Sequence, residues 1–423
     1  MQSTDQAISE IEEKSEWLNW PLLILIALVP LQNIYLGKIP SLGAGINILN
    51  VLMLFAFLKA SSHTETSYSN PMNKFILFLT LSYILSFIVG SSVMEWDDKS
   101  MFVLKDMFFA YLFFFITYKS ITGIKAIKAI FWATVIPLPY MFKVFYANLS
   151  WMGFTGYKDN LRLNSGTFME LGSNEMAAFY ATYTFIVFGF AILEQEKKRK
   201  LFLIACVIMN VYSLLYGFSR GAYLASIVGL VVFCWYNSKV RLLFAGLAII
   251  FALLTAGVDV FPKSVTERFN SSFVEEEELD ESVQIRLILW DLALDKFQSS
   301  PLVGIGFGNF KKMNSYGLDT HNYYVKLLCE GGLVSFFAFV FFMIASFKSG
   351  IRLLKVSKNK YSQKLAICFL ACMTSLIIGN YFGDRFTHYP LISYFYVYLA
   401  MVMKSLEWSE SEQQSENISP AFN

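Results

Sequence analysis

Several residues in this chain are of types, and at spacings, that could do chemistry together. His321 heads an apolar run that continues through Phe347, and a turn-rich stretch with glycines at 304, 306 and 308 stands just before it. Ser219-Arg220-Gly221 lies in a very short link between two apolar runs, and Arg286 and Trp290, four apart, share a helical face. An imidazole titrates near neutrality and can take a proton from a hydroxyl. A guanidinium presents a planar fork of donors that fits two oxygens of a phosphate or carboxylate. Glycines let a backbone come close to a ligand. The combination suits transfer onto a hydroxyl from an anionic, phosphate-bearing donor. His321 would act as base, and Arg220 and Arg286 would stabilise the departing charge.

The elements that must position these groups are membrane helices. Hydrophobic residues fill 56% of the 423 positions and charged ones only 16%, too little charge to cover a soluble chain of this length. Apolar runs of spanning length recur along most of the sequence, without the period-two alternation of a β-barrel. The expected fold is all-α and polytopic, with about twelve spans near 20–36, 44–60, 74–92, 101–118, 127–147, 174–193, 201–218, 221–237, 241–257, 329–347, 364–381 and 389–405. The expected organisation is a cytoplasmic tail over 1–19, nine helices over 20–257, an extracytoplasmic loop over 258–323, three helices over 324–408, and a tail over 409–423. From Ser409 onward the tail is polar and expected to be disordered. Residues 1–17 are acidic and lack the basic start of a cleaved signal.

Orientation follows from basic residues in short loops. With the N-terminus inside, the inner loops hold eighteen lysines and arginines and the short outer loops six, so both termini are expected in the cytoplasm. This places Arg162, Arg220, Arg286, His321, Arg385 and His388 on the outer side. Within the long loop a helix is expected from Ser282 to Phe297, with Ile285, Ile288, Leu289 and Leu292 on one side. Lys105 and Asp106, adjacent on a helix, are not expected to pair. The five cysteines sit in or beside apolar runs without metal-ligand spacing, so neither a disulfide framework nor a metal site is indicated.

Each residue has a plainer reading beside the chemical one. Arg220 could be a snorkelling interfacial anchor, although a site role is favoured. Arg286 divides evenly between a solvated helix face and a ligand contact. For Arg162 and Arg385 the structural reading is favoured, and His388 reads as a loop residue. The run Glu275–Glu281 reads as a solvated face. Gly304, Gly306 and Gly308 lack the Gly-Lys-Ser/Thr ending of a nucleotide-binding loop and follow no β-strand, so a nucleotide site is not expected. No nucleic-acid partner is expected either.

The loop and the helix after it resemble the O-antigen ligase and Wzy-type polymerase superfamily, membrane glycosyltransferases of the GT-C type. The resemblance rests on Arg286 with Trp290, on Pro301 to Phe310 (Pro-Leu-Val-Gly-Ile-Gly-Phe-Gly-Asn-Phe), and on His321-Asn322 followed by Gly332. Ser219-Arg220-Gly221-Ala222 looks like the family's arginine turn. Arg162 with Gly166-Thr167-Phe168 and Ser173-Asn174 looks like its earlier outer element. One departure is Gly332-Leu333-Val334-Ser335, where ligases usually carry a Gly, Thr or Tyr in place of the serine; it leaves ligase against polymerase open.

The resemblance implies a metal-independent, cofactor-free inverting transfer in the bacterial inner membrane. The donor would be an undecaprenyl-diphosphate-linked glycan, and the acceptor lipid A-core for a ligase or a second carrier-linked glycan for a polymerase. It also implies substrate-binding roles for Arg162, Asn174, Gly304, Gly306, Gly308 and Asn322. A transporter or flippase of lipid-linked glycans is the competing class. Transporters place polar sites near the membrane midplane between repeated halves, whereas here the cations collect on one side and no repeat is evident.

Overall fold

A computed structural model describes residues 17–39, 46–62, 70–94, 98–151, 166–168, 172–237 and 281–418. Every regular element among them is helical. In chain order they are α1 (Trp20–Leu28), α2 (Gln32–Tyr35), α3 (Ile48–Ser61), α4 (Met72–Val93), α5 (Asp98–Ser120), α6 (Ile124–Val135), α7 (Leu138–Trp151) and α8 (Ser173–Leu193). Then follow α9 (Lys197–Leu215), α10 (Arg220–Tyr236), α11 (Glu281–Ser299), α12 (Phe310–Met313), α13 (Tyr323–Val356), α14 (Lys360–Tyr381), a 3₁₀ turn (Arg385–Thr387) and α15 (Tyr389–Ile418).

Six of the twelve expected spans coincide with helical segments long and apolar enough to cross a membrane: Met72–Ser92, Ser100–Ser120, Ile124–Trp151, Ser173–Leu193, Tyr323–Val356 and Lys360–Tyr381. Ile48–Ser61 and Arg220–Tyr236 are apolar but shorter. The expected first span is interrupted at Pro30, and the run Ile124–Trp151 is two helices parted at Pro137, because proline cannot donate the helical backbone bond. The expected span 241–257 lies outside the described residues.

Helices that are apolar all round go to the middle. From Leu391 to Met403, α15 is 5% exposed or less at every residue, so it forms the centre of the bundle. It packs against α5, α13 and α14, while α8 packs against α9, α10 and α14. The outer helices instead turn rows of large apolar side chains outward, such as Leu77, Leu81, Ile84 and Ile88 of α4 at helical spacing. Such a row suits contact with lipid tails.

Three expectations need correction. The expected disordered tail from Ser409 is helical to Ile418. It is held by Arg352 to Glu410 at 2.5 Å, Lys358 to Glu416 at 2.6 Å, and the Gln413 side chain donating to the Val356 carbonyl at 3.2 Å. The loop helix α11 buries Leu289 and Ala293, with Ile285 and Leu292 partly covered, while Ile288 is exposed. The covered stripe is 285, 289, 292 and 293, and Ile288 lies at its edge, on the exposed side. Lys105 and Asp106 do approach each other, at 3.6 Å.

α11 packs on α13 and on the glycine stretch through a small separate core of Leu289, Ala293, Ile305, Phe310 and Cys329. The glycine stretch in turn completes α13, which is broken at Gly332 (φ 62°, ψ −166°). The break frees backbone groups on both sides, and the stretch satisfies them. Leu333 N and Val334 N donate to the carbonyls of Pro301 (2.9 Å) and Leu302 (3.1 Å). The carbonyls of Cys329 and Glu330 accept from Ile305 N and Gly306 N, both at 2.9 Å. Buried backbone groups almost always find such partners.

Candidate functional site

His321 is exposed and sits at φ 51°, in the left-handed region that L-residues with a side chain avoid at a cost of about 1–2 kcal/mol. Its neighbours hold it there. Thr320, fully buried, donates its hydroxyl to the Asn322 carbonyl at 2.9 Å. Asn322, also buried, caps α13: its side-chain oxygen accepts from Tyr324 N at 3.0 Å and Val325 N at 3.3 Å. Trp290 reaches across from α11, its indole N–H donating to the Thr320 carbonyl at 2.8 Å. The imidazole is thus presented to solvent on a turn buttressed from both sides. Strain of this kind, over-determined by its surroundings, collects at functional sites.

Beneath that turn lies a cluster of buried charges. The Lys326 ammonium, one turn into α13, is 2.5 Å from the Asp319 carboxylate and 3.0 Å from that of Asp384. Next along the chain, Arg385 is buried and pairs with Glu175 of α8 at 2.7 Å. Burial pushes the Asp384 carboxyl up, but Lys326 first, then His388 and Arg385, outweigh it and hold Asp384 well below the usual carboxylate range. For His388 burial dominates and pulls the imidazole down, against the raising influence of Glu175 and Asp384. Removing one partner from such a cluster leaves an uncompensated buried charge, at a cost of about 3–5 kcal/mol.

Arg220 is the first residue of α10, following Phe218 at φ 49°. Its turn lies against the Phe382–His388 link: a Cβ at Gly221 would stand 2.5 Å from the Phe382 Cβ. Arg286 lies one turn before Trp290 on α11, half-buried. Asn174 is in the first turn of α8, beside Glu175. The structure therefore brings the turns bearing Arg220, His321 and His388, the helix bearing Arg286, and the start of α8 to one end of the bundle. Arg162 lies outside the described residues. The run Glu275–Glu281 does too, save Glu281, which opens α11.

The glycines behave differently from the ligand-facing backbone that their spacing suggests. Their close approaches are to the chain itself: a Cβ at Gly306 would stand 2.0 Å from the Gly90 Cα, and one at Gly308 would stand 2.3 Å from the Ser100 Oγ. Asn309 ties the same stretch to α4, its side-chain amide donating to the Gly90 carbonyl at 3.2 Å.

Sequence reasoning passed over Asp319, Lys326, Glu330, Asp384 and Glu175. One signal was available. Lys326 and Glu330 are ionisable residues inside an apolar run, and such residues face a polar interior by default. They border a small cavity with Tyr83, Tyr323, Ser86 and Thr387, in which the two tyrosine hydroxyls are hydrogen-bonded. Glu330 accepts there from Phe310 N at 3.2 Å.

Residues 204–340 match the family model described as O-antigen ligase. The matched region runs from α9 through Arg220, Arg286, the glycine stretch and His321 to beyond the break at Gly332. Over those residues it bears out the resemblance to the O-antigen ligase and Wzy-type superfamily, a likeness that implies a glycosyltransferase-like enzyme, and six helical segments among the described residues are long and apolar enough to cross a membrane. No curated protein matches the chain.

Proposed function

From that superfamily match, we propose that the chain transfers a glycan from an undecaprenyl-diphosphate carrier to an acceptor hydroxyl at the outer face of the bacterial inner membrane. The observation that carries this reading is the exposed, strained and buttressed His321 at the same end of the bundle as the Arg220 turn and the Arg286 helix. His321 takes the acceptor proton while the acceptor oxygen attacks the anomeric carbon from the face opposite the diphosphate. The new C–O bond forms as the bond to the diphosphate breaks, and the configuration inverts. Arg220 and Arg286 hold the leaving diphosphate, with Arg162 as a third cation, so the charge is met without a metal or other cofactor. Asn174 and Asn322 flank the site.

On the ligase reading, placed first, the acceptor is lipid A-core; on the polymerase reading it is another carrier-linked glycan. Ser335, where ligases usually carry Gly, Thr or Tyr, is buried and donates to the Ser82 carbonyl at 3.3 Å. It is a packing position and favours neither. Deleting the gene and resolving the surface polysaccharide on a gel separates them. Loss of all attached chains means ligase, chains stopped at one repeat unit mean polymerase, and an unchanged pattern removes both.

The reading needs residues 258–323 outside and both termini in the cytoplasm, as the basic-residue bias implies. With cysteines introduced singly at Glu278 and Lys358, an impermeant thiol reagent should label only the former in cells with a permeabilised outer barrier. Labelling at 358 alone would put the site on the wrong side.

The arginines are expected to act by geometry as well as charge. Arg220→Ala and Arg286→Ala should each lower transfer by about 10²-fold or more, the scale for losing one preorganised charge-stabilising donor. Lysine at either position should rescue only part, since it keeps the charge and loses the two-point contact. Full activity in both lysine variants would remove the diphosphate clamp.

A further inference from the structure

We propose that Lys326 is a positioning residue that sets the His321 turn against the Phe382–His388 link; this rests on reading His321 as the base of the transfer. The ammonium bridges two loops that are far apart in sequence. On one side it meets Asp319, two residues before His321, at 2.5 Å; on the other it meets Asp384, one residue before Arg385, at 3.0 Å. Each anchor is fixed in turn. Asp319 Oδ1 also accepts at 2.9 Å from the N–H of Thr320, the same residue whose carbonyl Trp290 holds. The Asp384 carbonyl accepts from the Thr387 hydroxyl at 2.7 Å, and Arg385 continues to Glu175 of α8 at 2.7 Å. A path of polar contacts, joined by the peptide link from Asp384 to Arg385, thus runs from α11 through the His321 turn and Lys326 to α8.

Two observations separate this role from simpler ones. A lysine in the first turns of a helix stands at the wrong end of the helix dipole, where an acid is preferred. Stability of α13 alone does not call for a cation there. Nor is Lys326 placed to meet a diphosphate itself, because its side chain is only 12% exposed and two of its three donors are committed to the carboxylates. What the ammonium does is hold two carboxylates, and the turns that bear them, at one separation. The His321 backbone is strained, so a turn released from Asp319 would relax and carry the imidazole with it. A misplacement near 1 Å is enough to cost about 10²-fold in rate.

The test removes both ion pairs together, so that neither Asp319 nor Asp384 is left as a carboxylate without its cation. Lys326→Met alone would strand two carboxylates and could fail to fold. The informative variant is Lys326→Met combined with Asp319→Asn and Asp384→Asn, compared with the parent in full-length purified protein. It is expected to fold, to bind undecaprenyl-diphosphate-linked glycan as the parent does, and to lose about 10- to 100-fold in kcat. A nitroxide on Leu318→Cys, an exposed position one residue before Asp319, should pass from an immobilised to a mobile spectrum in the same variant. Turnover within about threefold of the parent, or an unchanged nitroxide spectrum, overturns the positioning role. If the parent itself transfers no glycan, the transferase reading falls instead, and the nitroxide comparison alone decides whether Lys326 holds the turn.

Discussion

His321→Gln is expected to lower glycan transfer by about 10²- to 10⁴-fold while leaving binding of the lipid-linked donor nearly unchanged. Glutamine keeps a side chain that can hydrogen-bond but has no basic nitrogen. A histidine that only oriented the acceptor would be worth about 0.5–1.5 kcal/mol, or roughly tenfold, and the amide would recover part of that. The two roles therefore differ by an order of magnitude or more. His321 is exposed, so the substitution removes no packed group, and lost activity would report chemistry. The measurement is single-turnover transfer with purified donor and acceptor, alongside a direct binding assay for the donor. Transfer within about tenfold of the parent would remove the base role. His388 would then be the next imidazole to test at this end, but it is held largely inside the charge cluster and its Nδ1 is buried.

The local part of this site could be read from the chain, and the long-range part could not. Helical content and the loop helix follow from nearby residues, because amphipathic stripes are short-range devices. The charge cluster joins positions 175, 319, 326, 384 and 385, and no periodicity links an aspartate in one loop to a lysine one turn into a helix and an aspartate in another. Such pairings exist only after the helices pack. α13 is also longer than its apolar core suggested, starting at Tyr323 rather than near 329, because Lys326 and Glu330 look like a boundary when charge alone is considered. They are instead interior residues whose partners come from elsewhere. The glycines show the converse. Their spacing announces close approach correctly, but what they approach is the broken helix and α4.

Gly306→Ala is expected to destabilise the protein by about 2–5 kcal/mol, combining overpacking of about 1–3 kcal/mol with left-handed strain of about 1–2 kcal/mol. The added Cβ would meet the Gly90 Cα at 2.0 Å and the Gly90 N at 2.4 Å, and backbone has no rotamer by which to yield. The position also sits at φ 98°. Against a total stability of about 5–15 kcal/mol, that loss should appear as a large fall in the melting temperature of the detergent-solubilised protein and as low yield. Gly317→Ala isolates the strain, because Gly317 has a similar left-handed backbone (φ 62°) with nothing within 4 Å of its Cβ position. It should cost only about 1–2 kcal/mol. The pair also decides what the glycine stretch is for. If Gly306 serves the ligand, alanine there should leave melting close to that of the Gly317 variant and weaken donor binding selectively. If it seals the break in α13, melting falls first, and donor binding is lost only in proportion to the protein that unfolds. The hydrogen bonds from Ile305 and Gly306 to the carbonyls before the break place the second outcome ahead.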